Sequence, residues 1–332
     1  MKLLVVGGAG YIGAVTVELL IENNYEVIVL DNLCRGHEHA VSTKARFVKG
    51  DMGSADDLNA IFKAEKIDAV MHFGALSLVG QSVEQPALYF RNNVTNGITL
   101  LDVMLAHGVN KFVFSSTAAV YGEPHTSPIT EDFPLVPNSP YGDSKLAYEK
   151  ILKWYANAYG LMYAALRYFN VAGATETTGE DHDPETHLIP LVLQVARGDR
   201  PHLTIFGDDY QTPDGTGIRD YIHVKDLAKA HLLAVEALKI PGQSSIYNLG
   251  SGTGFSVKQI IEMARKVTGT SIPIEIGPRR AGDPSTLIAS SQKIQEELGW
   301  APKHGALETI IGDAWKWHQK NPNGYKREQA HV

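Results

Sequence analysis

The chain has 332 residues, of which 44% are apolar and 20% charged, and its formal net charge is −7 at pH 7. This composition is typical of a folded globular protein with a sizeable core. The negative net charge argues against a dedicated nucleic-acid binder and leaves no polybasic attachment to an anionic membrane. The lone Cys34 cannot form an internal disulfide, and the first apolar run is too short for a signal peptide or membrane span. We therefore expect a cytoplasmic protein.

Short β-branched runs alternate with longer helical stretches in the first half of the chain. The sequence predicts strands at residues 3–6, 26–30, 46–48, 69–73 and 111–115, and helices at 11–22, 56–66, 87–107 and 141–159. This alternation predicts βαβ units and a parallel sheet with helices on both faces. The pattern changes near residue 170. It continues with a polar loop at 174–185, a helix at 188–197, a loop at 207–217, a strand at 245–249 and a helix at 256–268.

A glycine-rich turn follows the first predicted strand and opens the first predicted helix. Gly7, Gly10 and Gly13 are spaced as in dinucleotide-binding turns, with Tyr11 and Ile12 between the last two. Glycine at these positions permits a tight turn, a close approach of backbone to a pyrophosphate, and close packing of helix on strand. The turn therefore predicts a dinucleotide site in an α/β fold, a Rossmann-type doubly wound parallel sheet.

The ends of the next strands supply further candidates for binding this cofactor. Asp31 ends the second predicted strand, where a carboxylate accepts both ribose hydroxyls and repels a 2′-phosphate, so NAD is favoured over NADP. The remaining candidates follow the second, third and fourth strands: Asn32, Asp51, Met52, Phe73 and Ala75. Asp51 could equally be a helix-capping residue, and Phe73 could be a core residue.

Tyr141 and Lys145 lie four residues apart on a predicted helix and so share one face. A phenol is a poor base at pH 7, but a neighbouring ammonium favours its phenolate form. Thr117 ends the strand before this helix and can hydrogen-bond the same substrate hydroxyl. The three residues predict an acid–base site next to the cofactor.

Together these motifs resemble the extended short-chain dehydrogenase/reductase family, over nearly the whole chain. Six further blocks narrow the resemblance to its UDP-glucose 4-epimerase branch, and they lie at residues 79–82, 91–94, 115–122, 167–170, 217–224 and 279–284. The resemblance implies that Asn92 and Tyr168 line the nicotinamide side. It implies a UDP-sugar site formed by Thr117, Asn170, His187, Leu188, Phe206, Arg219, Tyr221, Arg280, Asp283 and Leu287. Alternatively, Arg219 and Asp220 could form a surface ion pair.

The implied reaction is a reversible epimerisation at C4 of UDP-glucose and UDP-galactose through a 4-keto intermediate, with NAD retained. Residues 1–169 would form the NAD-binding domain, with the chain returning near 219–250. Residues 170–332 would mainly form a smaller C-terminal α/β lobe for UDP-hexose. The resemblance places Leu287 where the family gates the 2-substituent of the sugar, which implies N-acetylated UDP-hexoses as possible further substrates. The predicted helices 87–107 and 141–159 would form a homodimer interface.

Three other activities compete with this interpretation. A 4,6-dehydratase needs an acid–base pair after the active threonine, whereas Ala118 and Ala119 follow Thr117. A UDP-glucuronate 4-epimerase needs extra groups for a carboxylate, and a non-enzymatic NAD-sensing regulator would not need the Tyr–Lys pair. No metal is expected, because the pairs His37/His39 and His182/His187 show no third ligand at a suitable spacing.

Overall fold

The computed structural model describes residues 1–124, 126–280 and 283–325. Its strands are β1 (Lys2–Val6), β2 (Glu26–Asp31), β3 (Arg46–Lys49), β4 (Ala69–His72), β5 (Lys111–Thr117), β6 (Met162–Tyr168), β7 (Asn170–Ala172), β8 (Leu203–Phe206), β9 (Ile218–His223), β10 (Ser244–Leu249), β11 (Gly254–Ser256), β12 (Ile274–Gly277) and β13 (Thr286–Leu287). Its α-helices are α1 (Tyr11–Glu22), α2 (Ala55–Ala64), α3 (Val79–Glu84), α4 (Pro86–Phe90), α5 (Asn96–Ala106), α6 (Pro140–Tyr159), α7 (Leu188–Arg197), α8 (Val224–Ala237), α9 (Val257–Thr268), α10 (Gln292–Leu298) and α11 (Leu307–Lys320).

Seven parallel strands form the central sheet in the order β10-β6-β5-β4-β1-β2-β3. Side chains alternate between its faces, because the side-chain period of a strand is two. Leu3 and Val5 pack with the core on one face, whereas Leu4 and Val6 pack with the core on the other. Both faces are therefore buried, and the predicted Rossmann-type α/β fold is confirmed.

A second lobe lies beyond the carboxyl ends of these strands. It contains a four-stranded sheet of β7, β9, β11 and β13 and a two-stranded sheet of β8 and β12. Helices α7, α9 and α11 pack against one another over a separate apolar cluster that includes Val192, Ile260 and Ile310. The chain returns to the first lobe after β9, since α8 packs on α1 and β10 joins the edge of the central sheet.

The predicted elements of the first half agree well with the structure, but one predicted helix contains a π-helical turn. The stretch predicted as a single helix at 87–107 consists of α4, a π-helical turn at Arg91–Thr95 and α5. The reason is tertiary: the buried Asn93 side chain bonds both backbone groups of Leu76 and the hydroxyl of Ser144. No helix among the described residues is long and apolar enough to cross a membrane.

Candidate active site

The glycine turn between β1 and α1 permits very close contact between backbone segments. Gly7 has φ +78°, and a Cβ there would collide with the backbone of Gly74. A Cβ on Gly13 would collide with the carbonyl of Gly7, while Gly10 is the N-cap of α1. The first turn of α1 therefore presents its unpaired N–H groups to a cleft, as binding of a pyrophosphate requires.

Asp31 lies at the carboxyl end of β2, at the rim of this cleft. Its carboxylate is 9% exposed and accepts hydrogen bonds from the N–H groups of Ala9 (3.0 Å) and Leu33 (2.8 Å). Burial raises the pKa of Asp31, and the two N–H donors oppose that shift. The acid is thus fixed by backbone where a ribose would bind. Asn32 donates to Asp51 at 2.8 Å, which orients both side chains at the same rim.

The cleft brings together most of the predicted cofactor residues. They line it from five different segments of the chain: Gly7, Gly10, Asp31, Asn32, Met52, Phe73, Ala75 and Asn92. The side chains of Tyr11 and Ile12 point elsewhere, because the Tyr11 hydroxyl donates to the Gly173 carbonyl at 2.6 Å and Ile12 packs against the core. Any contact of these two residues with the cofactor would therefore be through backbone. The glycine cradle and the buried acid fit NAD.

The predicted acid–base residues meet where β5 ends and α6 begins. Ser139 caps α6 by accepting from the N–H of Gly142, and Pro140 occupies its first turn. This places the Tyr141 side chain beside Thr117, at the end of β5. Burial raises the pKa of Tyr141, and the hydrogen bond with the Thr117 side chain opposes the shift.

Lys145 is 3% exposed and donates from Nζ to the carbonyl of Ser115 at 2.8 Å. Burial lowers the pKa of Lys145 to about 7, although the nearby Glu149 carboxylate favours its charged form. Tyr168, expected on the nicotinamide side, hydrogen-bonds Ser115 through its hydroxyl and lies close to Tyr141. The predicted catalytic residues therefore form one group at the carboxyl ends of β5 and β6, in which Thr117 and Lys145 are buried and Tyr141 is half-buried.

A buried ion pair behind this group was not predicted from the sequence. Glu149 and Arg167 form two hydrogen bonds, of 3.0 and 2.6 Å, and Ser116 donates to Glu149 at 2.5 Å. Arg167 also donates to the Tyr121 hydroxyl at 2.9 Å. The sequence offered one signal of this pair, the acidic Glu149 one helical turn after Lys145. It did not indicate the partner, because Arg167 lies on a different element, β6.

Several predicted substrate residues lie together in the second lobe. Arg219 on β9 forms an ion pair with Asp283, and Leu287 on β13 is its register partner. Asn170 on β7 donates to the Asp220 carbonyl at 3.1 Å, while Tyr221 is buried in the lobe core. Tyr221 therefore packs in the core of the second lobe.

The alternative of a surface pair between Arg219 and Asp220 is wrong. Asp220 is fully buried and accepts hydrogen bonds from the N–H groups of Ser251, Gly252 and Ala289. It therefore joins β9 to two loops, while Arg219 points to the other side of the strand.

Arg280 and Phe206 meet at the edge of the second lobe. The guanidinium carbon of Arg280 lies 4.1 Å from the centre of the Phe206 ring, which is a cation–π geometry. Residues 281 and 282 of the same sequence block lie outside the described residues.

His187 is the N-cap of α7, and Leu188 begins that helix. Burial favours the neutral ring, but Glu180 and Glu185 outweigh this and raise the pKa of His187 to about 11. The expectation that no third ligand joins His182 and His187 is wrong, because these two carboxylates contact them.

Comparison with known proteins agrees with this geometry. The sequence profile of the NAD dependent epimerase/dehydratase family matches residues 3–250. A UDP-glucose 4-epimerase of Halalkalibacterium halodurans is 57% identical, over 99% of this chain and 98% of that protein. A crystal structure of a UDP-glucose 4-epimerase superposes with a TM-score of 0.96 at 54% identity, covering 98% of this chain and 100% of that one. The Brucella ovis UDP-glucose 4-epimerase, solved with NAD, superposes at 0.92 with 47% identity, covering 95% and 97%.

The chain belongs to the NAD dependent epimerase/dehydratase family. Within that family it is similar, over almost its full length, to proteins named UDP-glucose 4-epimerase. The resemblance predicted from the sequence motifs is therefore confirmed, and so are the enzyme class, an NAD-dependent epimerase, and the cofactor, NAD.

Proposed function

We propose that this enzyme interconverts UDP-glucose and UDP-galactose by inverting C4 of the hexose through a 4-keto intermediate. One observation carries the proposal: Thr117, Tyr141 and Lys145 lie together where β5 ends and α6 begins, with Thr117 and Lys145 buried and Tyr141 half-buried. A site that reverses the configuration of an alcohol needs this group beside a redox cofactor.

Tyr141 takes the proton from the O4 hydroxyl and later returns it. Thr117 hydrogen-bonds the same oxygen and holds it against the phenol. Lys145, held by the carbonyl of Ser115, favours the phenolate electrostatically. Bound NAD, which the glycine turn and Asp31 would hold, would supply reversible hydride transfer at C4.

Inversion requires that the keto-hexose turn over while UDP stays fixed. We assign the fixing of UDP to the second lobe, with Arg219 and Arg280 binding the diphosphate through their planar guanidinium groups. Asn170, His187, Leu188 and Phe206 would complete the nucleotide site, and Asp283 would accept from the uridine ribose. On this proposal residues 1–169, with the returns at β9–β10, bind NAD, and the remainder of 170–332 binds UDP-hexose.

Two features argue against the alternative functions, a dehydratase and an NAD-sensing regulator. Ala118 and Ala119 follow Thr117, and neither can transfer the proton that dehydration across C5 and C6 requires. The Tyr–Lys pair opposes a role as an NAD-sensing regulator. A UDP-glucuronate 4-epimerase remains the alternative, and it would require a cation at the hexose C6.

The sequence does not decide whether the substrate carries a hydroxyl or an N-acetyl group at C2 of the sugar. The surroundings of Leu287 help to decide this. Leu287 is half-buried and packs at the margin of an apolar cluster that includes Phe169 and Ala289. A leucine here is smaller than an aromatic ring, so we propose that N-acetylated UDP-hexoses are accepted as secondary substrates.

The test is an assay of the purified enzyme without added cofactor on UDP-galactose, UDP-GalNAc and UDP-galacturonate. We expect fast turnover of the first, slower turnover of the second and none of the third. A Leu287→Tyr variant should lose the second activity and keep the first. Turnover of the uronate alone would establish the alternative, and no turnover even with added NAD would overturn the assignment.

We also propose a homodimer. Large apolar side chains are exposed on one side of the first lobe, on α3, α4 and α6: Val79, Val83, Leu88, Trp154 and Tyr159. Exposed apolar surface of this extent is typical of an interface. Trp154→Glu should convert a dimer into a monomer in light scattering, and a wild-type monomer would contradict the proposal. The cytoplasmic location expected from the sequence stays a prediction.

A further inference from the structure

The loop between β7 and α7 gathers four side chains with metal-binding atoms. They are Glu180, His182, Glu185 and His187. One ligand atom from each can be chosen so that all four lie within 4.8 Å of one another. The four residues follow the pattern Glu-x-His-x-x-Glu-x-His, so a single short loop supplies the complete set.

The distances between ligand atoms are close to those around a small metal ion. Oε1 of Glu180 lies 3.0 Å from Nδ1 of His182 and 2.9 Å from Nδ1 of His187. Oε1 of Glu185 lies 2.8 Å from the same His187 nitrogen. In tetrahedral zinc sites each ligand is about 2.0–2.2 Å from the ion, which places neighbouring ligand atoms about 3.4 Å apart. A small outward movement of side chains would therefore admit an ion.

The charge and burial of the group also favour a divalent cation. The side chains of Glu180 and Glu185 are each only 6% exposed, and buried carboxylates need a cationic partner. Metal binding displaces protons from its histidine ligands, and the two carboxylates then balance the charge of one divalent ion. Arg197 lies beside the group, but its charge is already paired with Asp199.

An ion can reach this group from solvent. A cavity beside α7 is lined by Glu180, His182 and Glu185, and His318 also lines it. Access of this kind is one requirement of a genuine metal site.

We propose that these four residues bind one divalent transition-metal ion, with zinc the best fit to two imidazoles and two carboxylates. The ion replaces the ring proton of His187 as the partner of the carboxylates. Its role is structural, because none of the four residues belongs to the acid–base group. Coordination through Nδ1 leaves Nε2 of His187 available for the UDP contact proposed above.

The neighbours of the loop indicate what the ion would stabilise. Asp181 accepts from the N–H of Tyr325 at 2.9 Å, and its carbonyl lies 2.8 Å from Nε2 of His37. The loop therefore touches the segment after β2 on one side and the residues after α11 on the other. A metal ion would fix both contacts at once.

The experiment uses the untagged, NAD-loaded enzyme, stripped with a chelator and titrated with Zn²⁺ and Co²⁺. Zinc content is measured by mass spectrometry, and the Co²⁺ complex by its visible absorption. His182→Gln and Glu185→Gln each remove one ligand, and His39→Gln, an exposed histidine outside the cluster, is the matched control.

We expect one equivalent of zinc, a four-coordinate Co²⁺ spectrum, and affinity at least tenfold weaker in both ligand variants but unchanged in His39→Gln. The absence of stoichiometric zinc binding by the wild type overturns the proposal, as does equal binding by all variants. If a ligand variant fails to fold, the wild-type spectrum decides, because octahedral Co²⁺ absorption would mean that the ion binds elsewhere. Metal content is independent of the epimerase reaction, so failure of one proposal does not imply failure of the other.

Discussion

The two lobes hold their functional side chains in different ways. In the first lobe Lys145 and Asp31 are buried and bonded to backbone groups, so neither can move without breaking the sheet region around it. In the second lobe Arg219 pairs with the Asp283 side chain and Arg280 packs on the Phe206 ring, near solvent. Proton transfer needs side chains in a fixed geometry. Side chains that bind a nucleotide can instead exchange one partner for another when the ligand arrives. Changes in the first lobe should therefore reduce catalysis or stability strongly, and changes in the second should mainly weaken binding.

The largest effect is expected for Tyr141→Phe. Removal of the hydroxyl leaves O4 without a proton acceptor, so kcat should fall by about 10²–10⁴-fold while bound NAD is retained. The measurement is UDP-galactose turnover with NAD content on the same sample. Tyr25→Phe, which removes a surface hydroxyl bonded to Glu236, is the control and should be unaffected. Activity of Tyr141→Phe within tenfold of wild type would contradict the acid–base role.

The next effect concerns stability and is expected for Glu149→Gln. This change leaves the buried Arg167 guanidinium without its counter-ion, which typically costs about 3–5 kcal/mol of unfolding free energy. Urea denaturation measures the loss, and Glu22→Gln, an exposed carboxylate on α1, should change stability by less than about 0.5 kcal/mol. Equal stability of both variants would show that the pair contributes nothing.

A change in the second lobe should act on binding. Arg219→Lys keeps the charge but loses the planar fork, so KM for UDP-galactose should rise about tenfold with kcat nearly unchanged. Arg200→Lys, on the exposed loop after α7, is the matched control. A fall in kcat with constant KM would mean that Arg219 belongs functionally with the catalytic group, and the contrast between the lobes would be lost.

The smallest effect is a displacement of the pH profile. On the proposed mechanism the Lys145 ammonium acts beside Tyr141, so activity should fall as pH rises through the pKa of Lys145, which burial lowers and Glu149 raises. Glu149→Gln removes the opposing carboxylate, and the high-pH limb of kcat/KM should move to lower pH. The assay is run at a temperature where the variant is folded. If the high-pH limb of kcat/KM does not move, Glu149 does not affect the pKa of the group that controls activity.

The sequence alone was sufficient for the parts of this protein that depend on local pattern. The glycine turn, the acid ending β2 and the Tyr–Lys spacing on α6 each combine a conformational requirement with a chemical one within a few residues. Helices α1 and α7 begin and end where the sequence predicted, because Gly10 before α1 and Gly198 after α7 are local signals of a helix boundary. The similarity to UDP-glucose 4-epimerases was likewise predictable from the order of short blocks.

Tertiary structure decided everything that joins distant segments. Asn93 interrupts the predicted long helix only because Leu76 and Ser144 lie against it. Glu149 on α6 pairs with Arg167 on β6, and β10 returns to the first lobe from the second half of the chain. Buried charges and backbone groups must find partners wherever the fold places them, and sequence distance carries no information about that.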